Sequence, residues 1–140
     1  MNYDELQSQL GHKFKNKELL ELALTHKSFS SSYNNERLEF LGDSILNAII
    51  SQYLFNKFNN EKEGLLTRMR SYLVKAETLV IKAEEFALGD HIKLSKGTAN
   101  LSKDRKNSIL EDAFEAIIGA IFIDAGWEHV NEITLKIFNK

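Results

Sequence analysis

From position 113 to 123 the chain reads AFEAIIGAIFI, apolar at every position except Glu115. A stretch of that kind has no polar face to offer water, so as a helix it must be enclosed by other elements. What encloses it can be read from the rest of the sequence. Proline is absent from all 140 residues, glycine is sparse, and apolar residues recur at spacings of three and four. That pattern predicts a nearly all-helical chain. The expected fold class is all-α, with one helical domain over residues 1–140.

The elements follow in order. YDELQSQLG is a short helix stopped at Gly11, and Asn16 caps KELLELALTH. KSFSSSYNN is a polar loop before a long helix that begins in NNERLEFLGDSILNAII and runs to about Phe58. NNEKEG interrupts it, LLTRMRSYLV resumes, and ETLVIKAEEFALG is expected to end at Gly89 with a glycine stop. Residues 90–106 are expected to be a connecting segment of basic character. A helix over 108–125 is closed by Gly126, and WEHVNEITLKIFNK is the last. No internal repeat, low-complexity segment or interior linker is visible.

Composition removes several classes of function. There is no cysteine, which excludes disulfides, thiolate metal sites and thiol nucleophiles. The N-terminus carries acids and no apolar signal-peptide core, and no apolar run approaches the roughly 20 residues that span a bilayer. The expectation is a soluble, cytoplasmic protein with no membrane partner. A net charge of −2 and a pI near 6.1 do not suit a protein that holds nucleic acid by charge alone. If it handles nucleic acid, a separate basic module or bound cations must offset its acids.

Two helices carry acids in unfavourable places. Glu36, Glu39 and Asp43 lie about one turn apart, where like charges cost roughly 0.2–0.5 kcal/mol per pair. Gly42 sits amid them, at about 1 kcal/mol relative to alanine. In the second helix a buried, unpaired Glu115 would cost several kcal/mol, so it must be protonated, paired or metal-bound. Asp112 lies three residues earlier on that face, and Ala116 and Gly119 allow another helix to approach closely. Packing of the Gly42 region on Ala116–Gly119 would bring Glu39 and Asp43 to Asp112 and Glu115. An all-oxygen set of that kind selects hard divalent ions, Mg²⁺ or Mn²⁺, which activate water for phosphodiester cleavage. The spacing alone leaves a second reading open. Taken alone, Glu36–Asp43 reads first as a solvated face, and Asp112 also reads as a complement to a helix dipole.

ERLEFLGDSIL resembles the ribonuclease III signature, and EDAFEAIIGAIFIDAG resembles the second acidic motif of that family. LALTHKSF and EGLLTRMRSYLV fit in the expected order, and the likeness extends from about residue 5 to 138. The resemblance implies a helical endonuclease domain that forms a two-fold homodimer and cuts double-stranded RNA with Mg²⁺, with Mn²⁺ able to substitute. It implies products with 5′-phosphate and 3′-hydroxyl ends and a short 3′ overhang, in the processing and decay of RNA such as rRNA and mRNA. By motif position Glu39, Asp112 and Glu115 are direct metal ligands, and Asp43 and Glu115 are catalytic. Asp43 either ligates metal or orients the activated water. Glu36 and Glu63 match further acidic positions, with Glu63 reaching in from the dimer partner. Phe40, beside a face whose core residues are expected to be Leu38, Leu41 and Ile45, becomes a knob inserted into the partner.

Most bacterial members continue into a double-stranded-RNA-binding domain, which is expected to be absent from this chain. A bare nuclease domain should bind RNA weakly, with strong salt dependence, through A-form shape, phosphates and 2′-hydroxyls. The alternative to an enzyme is a non-catalytic dimerisation or RNA-docking module of the same fold, which loss of the acids would mark; all four are present. A di-iron carboxylate bundle needs Glu-x-x-His pairs, which this sequence lacks. The remaining polar features have plainer readings. Lys93, Lys96, Lys103, Arg105 and Lys106 read as a solvated loop. Arg68 and Arg70 are available to RNA backbone or to acids. His26 is expected to order its loop, and Trp127 to anchor packing.

Overall fold

The computed structural model describes residues 2–97 and 101–139. Among them are seven α-helices: α1 (Asp4–Leu10), α2 (Lys17–Ala23), α3 (Glu36–Lys57), α4 (Glu63–Leu73), α5 (Ala76–Glu85), α6 (Lys103–Ala125) and α7 (Trp127–Phe138). The described residues form no sheet. The apolar run lies in α6, where every residue from Ala113 to Ile121 is buried. Helix α3 packs along α6 in the largest interface of the molecule, while α2, α5 and α7 cover its other sides. Leu46, Ile49, Ile50 and Leu54 of α3 meet Phe114, Ile117, Ile118 and Ile121 of α6 in one core. The hydrophobic effect acting on α6 therefore assembles the domain.

Two helix ends obey their local chemistry plainly. Gly11 closes α1 in the left-handed region (φ 80°), its amide donating to the carbonyls of Gln7 and Ser8. The Asn16 side chain accepts from the amide of Glu18 at the start of α2. Trp127 packs against the core, as expected of an anchor.

The structure corrects three expectations. The stop after α5 falls on Ala87, left-handed at φ 51°, with a 3-10 turn over Leu88–Asp90 after it, and not on Gly89. Helix α6 begins at Lys103, because the Ser102 hydroxyl caps it by accepting from the Arg105 amide. Lys103, Arg105 and Lys106 therefore stand on the first turn of a helix and not on a loop; of the expected connecting segment, residues 98–100 lie outside the described residues. On α3 the core face is Leu38, Gly42, Leu46 and Ile49, while Leu41 and Ile45 are only half-buried.

At the far end of α6, a carboxylate serves the architecture. Asp124 accepts from the amides of Lys15 (2.9 Å) and Asn16 (3.0 Å) and pairs with His12 Nε2 at 2.8 Å. His12 Nδ1 in turn lies 2.9 Å from Nε2 of His129 on α7. This network fastens the α1–α2 corner to the α6–α7 corner.

Candidate metal centre

Helices α3 and α6 cross backbone to backbone. A Cβ at Gly42 would overlap the carbonyl oxygen of Glu115, and one at Gly119 would stand 2.5 Å from the carbonyl oxygen of Leu38. The two glycines thus answer each other across the interface, and the helical cost of Gly42 is the condition of that approach.

The crossing sets two pairs of carboxyl groups face to face. Glu39 hydrogen-bonds with Asp112, and Asp43 with Glu115. A bond between two carboxyls needs a shared proton. Glu39, Asp112 and Glu115 bring oxygens within 4.8 Å of one another, close enough to hold one ion. Asp43 is exposed and reaches the group through Glu115.

The electrostatics follow from burial and from acids facing acids. Glu115 is only 6% exposed, and its carboxyl is pushed up to about 9, first by burial, then by Asp43, Glu111 and Glu39. Glu39 is pushed up to about 7 by burial and by the charge of Asp112, so the proton they share resides on Glu39. Burial also raises Asp112. Three converging, partly dry, all-oxygen carboxyl groups, whose rise the charges of His26 and Lys27 on Asp112 do not cancel, match a hard divalent ion in number and in donor type.

The other expected site residues fall elsewhere. Glu36 is exposed and lies 3.9 Å from Lys27. Glu63 is exposed at the start of α4, beside a surface groove lined by Ser51, Phe55, Leu66 and Arg70. Phe40 is 78% exposed. Arg70 donates to the Ser51 hydroxyl at 2.8 Å and pairs with no acid among the described residues. His26 does order its loop, through Ser28. Glu111 was not singled out in the sequence, yet its raised carboxyl feels, after burial, Asp112, Asp43 and Glu77. Its position, one turn before Glu115, is the signal that would have found it.

A family model described as Ribonuclease-III-like matches residues 16–140. The chain is 53% identical over 132 residues to Ribonuclease 3 of Azotobacter vinelandii, covering 94% of this chain and 57% of that protein. It is 51% identical to Ribonuclease 3 of Wigglesworthia glossinidia brevipalpis, covering 96% of this chain and 59% of that one. The chain therefore spans somewhat over half the length of these curated relatives. Among solved structures, the nuclease domain of ribonuclease III from Campylobacter jejuni, described for flexibility in a region involved in dimer formation, superposes with a TM-score of 0.95 at 46% identity, covering 99% of this chain and 96% of that one. Dicer from Pichia stipitis superposes with a TM-score of 0.72 at 32% identity, covering 91% of this chain and 56% of that one.

Proposed function

The chain belongs to the ribonuclease-III-like family, and on that premise we propose that it is a Mg²⁺-dependent endoribonuclease domain that cleaves double-stranded RNA. The observation that carries this reading is the convergence of Glu39, Asp112 and Glu115 within 4.8 Å at a glycine-to-glycine crossing. Those three residues would hold the ion, with Mn²⁺ able to replace Mg²⁺. When bound, the ion supplies an activated water for in-line attack at phosphorus and stabilises the departing 3′-oxygen. Asp43, paired with Glu115 and open to solvent, would ligate the ion or orient the attacking water. The products would carry 5′-phosphate and 3′-hydroxyl ends, and the cellular role would lie in the processing and decay of rRNA and mRNA.

The homodimer belongs to the same reading. Phe40 projects beside a groove of about 860 Å³ formed in part by Leu19, Leu22, Leu41 and Ile123. In a two-fold interface each protomer would give one ring and receive one. Phe40→Ala should shift the chain toward monomer in sedimentation and depress cleavage, while leaving the monomer's own stability within about 0.5 kcal/mol. Unchanged sedimentation would remove Phe40 from that role. Glu36 and Glu63 remain secondary acidic contributors in this proposal, Glu63 from across the dimer.

The deciding experiment is incubation of the purified chain with duplex RNA, with and without Mg²⁺, followed by mapping of the product ends. Mg²⁺-dependent scission with the stated ends supports the enzyme. Tight binding of duplex RNA without scission in either ion would favour the non-catalytic docking module.

A further inference from the structure

His26 stands in the α2–α3 loop with its hydrogen-bonding role fixed by its neighbours. The Ser28 amide donates to His26 Nδ1 at 3.0 Å, and an amide can only donate. The Ser28 hydroxyl lies 2.8 Å from the same nitrogen. That hydroxyl oxygen accepts from the Ser95 amide at 3.1 Å, which leaves its proton free for His26. Nδ1 therefore presents a lone pair, and the ring proton resides on Nε2. The loop is held in register with the segment after α5: the His26 amide donates to the Lys93 carbonyl at 3.0 Å, and the Lys93 amide to the Leu24 carbonyl at 2.7 Å.

Protonation at Nδ1 would set an N–H against two donors. Burial, with the charge of Lys27, also holds the imidazole below its ordinary value. Nε2–H has no partner among the described residues. The ring is nonetheless close enough to Asp112, Glu36, Lys27 and Arg105 for all four charges to act on it. An imidazolium there would be drawn to the carboxylates and would compete with a cation for them. A neutral donor of fixed direction does not.

We propose that the His26 Nε2–H donates to an acceptor oxygen of the RNA backbone, a 2′-hydroxyl or a non-bridging phosphate oxygen, in the strand lying across the acidic pocket. The proposal rests on the nuclease reading above. His26 is then a positioning residue, which orients the strand by a hydrogen bond and not by charge.

The test uses His26→Asn, whose side-chain oxygen can still accept from Ser28 while the distal donor is lost. In a Glu115→Gln background, which separates binding from scission, duplex RNA should bind about fivefold more weakly in the variant. The plots of log K against log salt should run parallel, because no charge is removed. Placing a single 2′-deoxy or methylphosphonate unit at successive positions should find one site where the His26 parent loses the same factor and the variant loses nothing further. Whichever substitution does so names the oxygen. Imidazole ¹⁵N shifts without RNA should show the neutral Nε2–H form. Equal binding by parent and variant, a change of about one in the salt slope, or an Nδ1–H form would each overturn this inference and leave the nuclease reading standing. Failure of the parent itself to bind duplex RNA would overturn both.

Discussion

Helix α6 buries carboxylates in its middle and at its C-terminal end, and their surroundings differ. Asp124 meets two backbone amides and a histidine ring, so although burial alone would raise its carboxyl, the net effect is a value below the ordinary one. Glu115, about three turns earlier, rises through burial and then through Asp43, Glu111 and Glu39, and Asp112 rises through burial although its bond to Glu39 and the charges of His26 and Lys27 pull it down. Burial is common to the two regions; only the donors differ. A buried acid whose partners are supplied by the fold is part of the architecture, and one whose partners are more acids is a demand for a cation.

The contrast breaks first under Glu115→Gln. Removing that ligand should depress Mg²⁺-dependent cleavage of duplex RNA at least about 10³-fold, or ~4 kcal/mol on the barrier. The metal-free protein should melt no lower than the parent at pH 8, because buried Glu115 must take up a proton to stay neutral there and glutamine is neutral without one. A variant that melts well below the parent would make Glu115 a structural residue like Asp124.

Asp124→Ala should give the reverse. The amides of Lys15 and Asn16 and the His12 ring lose their acceptor in a region where the Asp124 side chain is 3% exposed. A stability loss of about 3 kcal/mol is expected in denaturant unfolding. Specific activity of the folded fraction at low temperature should stay near that of the parent. Loss of activity without loss of stability would contradict the division.

The smallest effect is the one on pH dependence, and it carries opposite signs at the two sites. Glu39 and Glu115 have folded-state values of about 7 and about 9, above their ordinary ones. Their stabilising protons are fully present below the unfolded value of 4.5 and are lost as pH rises through 7 and then 9. Asp124, lowered in the fold, stabilises above its unfolded value of 3.8 and fails as pH falls through the folded one. The melting temperature without divalent ions should therefore decline from about pH 5 to pH 9, and Mg²⁺ should flatten that decline by taking the protons' place. A slope indifferent to Mg²⁺ would show that the ion does not bind among these groups.

The acidic pocket was legible in the sequence because it violates local rules. Gly42 inside a helix and Glu115 inside an apolar run are each unfavourable alone and sensible together. The Asp124 network was not legible, because an aspartate followed by Ala125 and Gly126 breaks no rule and its donors lie more than a hundred positions away. The start of α6 was misplaced because five polar residues, Lys103–Asn107, show no apolar period, while the Ser102 cap that fixes the start is a single hydroxyl. Ala87 was missed for a related reason. A glycine two residues later offered the left-handed turn more cheaply, and packing after α5 placed it on alanine instead.

Because main chain meets main chain where Gly42 passes Gly119, no torsion of a side chain intervenes between the two halves of the pocket. The tolerance of the spacing between the two backbones that carry the carboxylates is then that of a peptide plane, which hardly yields to heat, so only the carboxylates' own torsions remain to be set. Surface helices can drift in sequence or loosen on warming while this one gauge keeps its setting, and a single added methyl is enough to throw it.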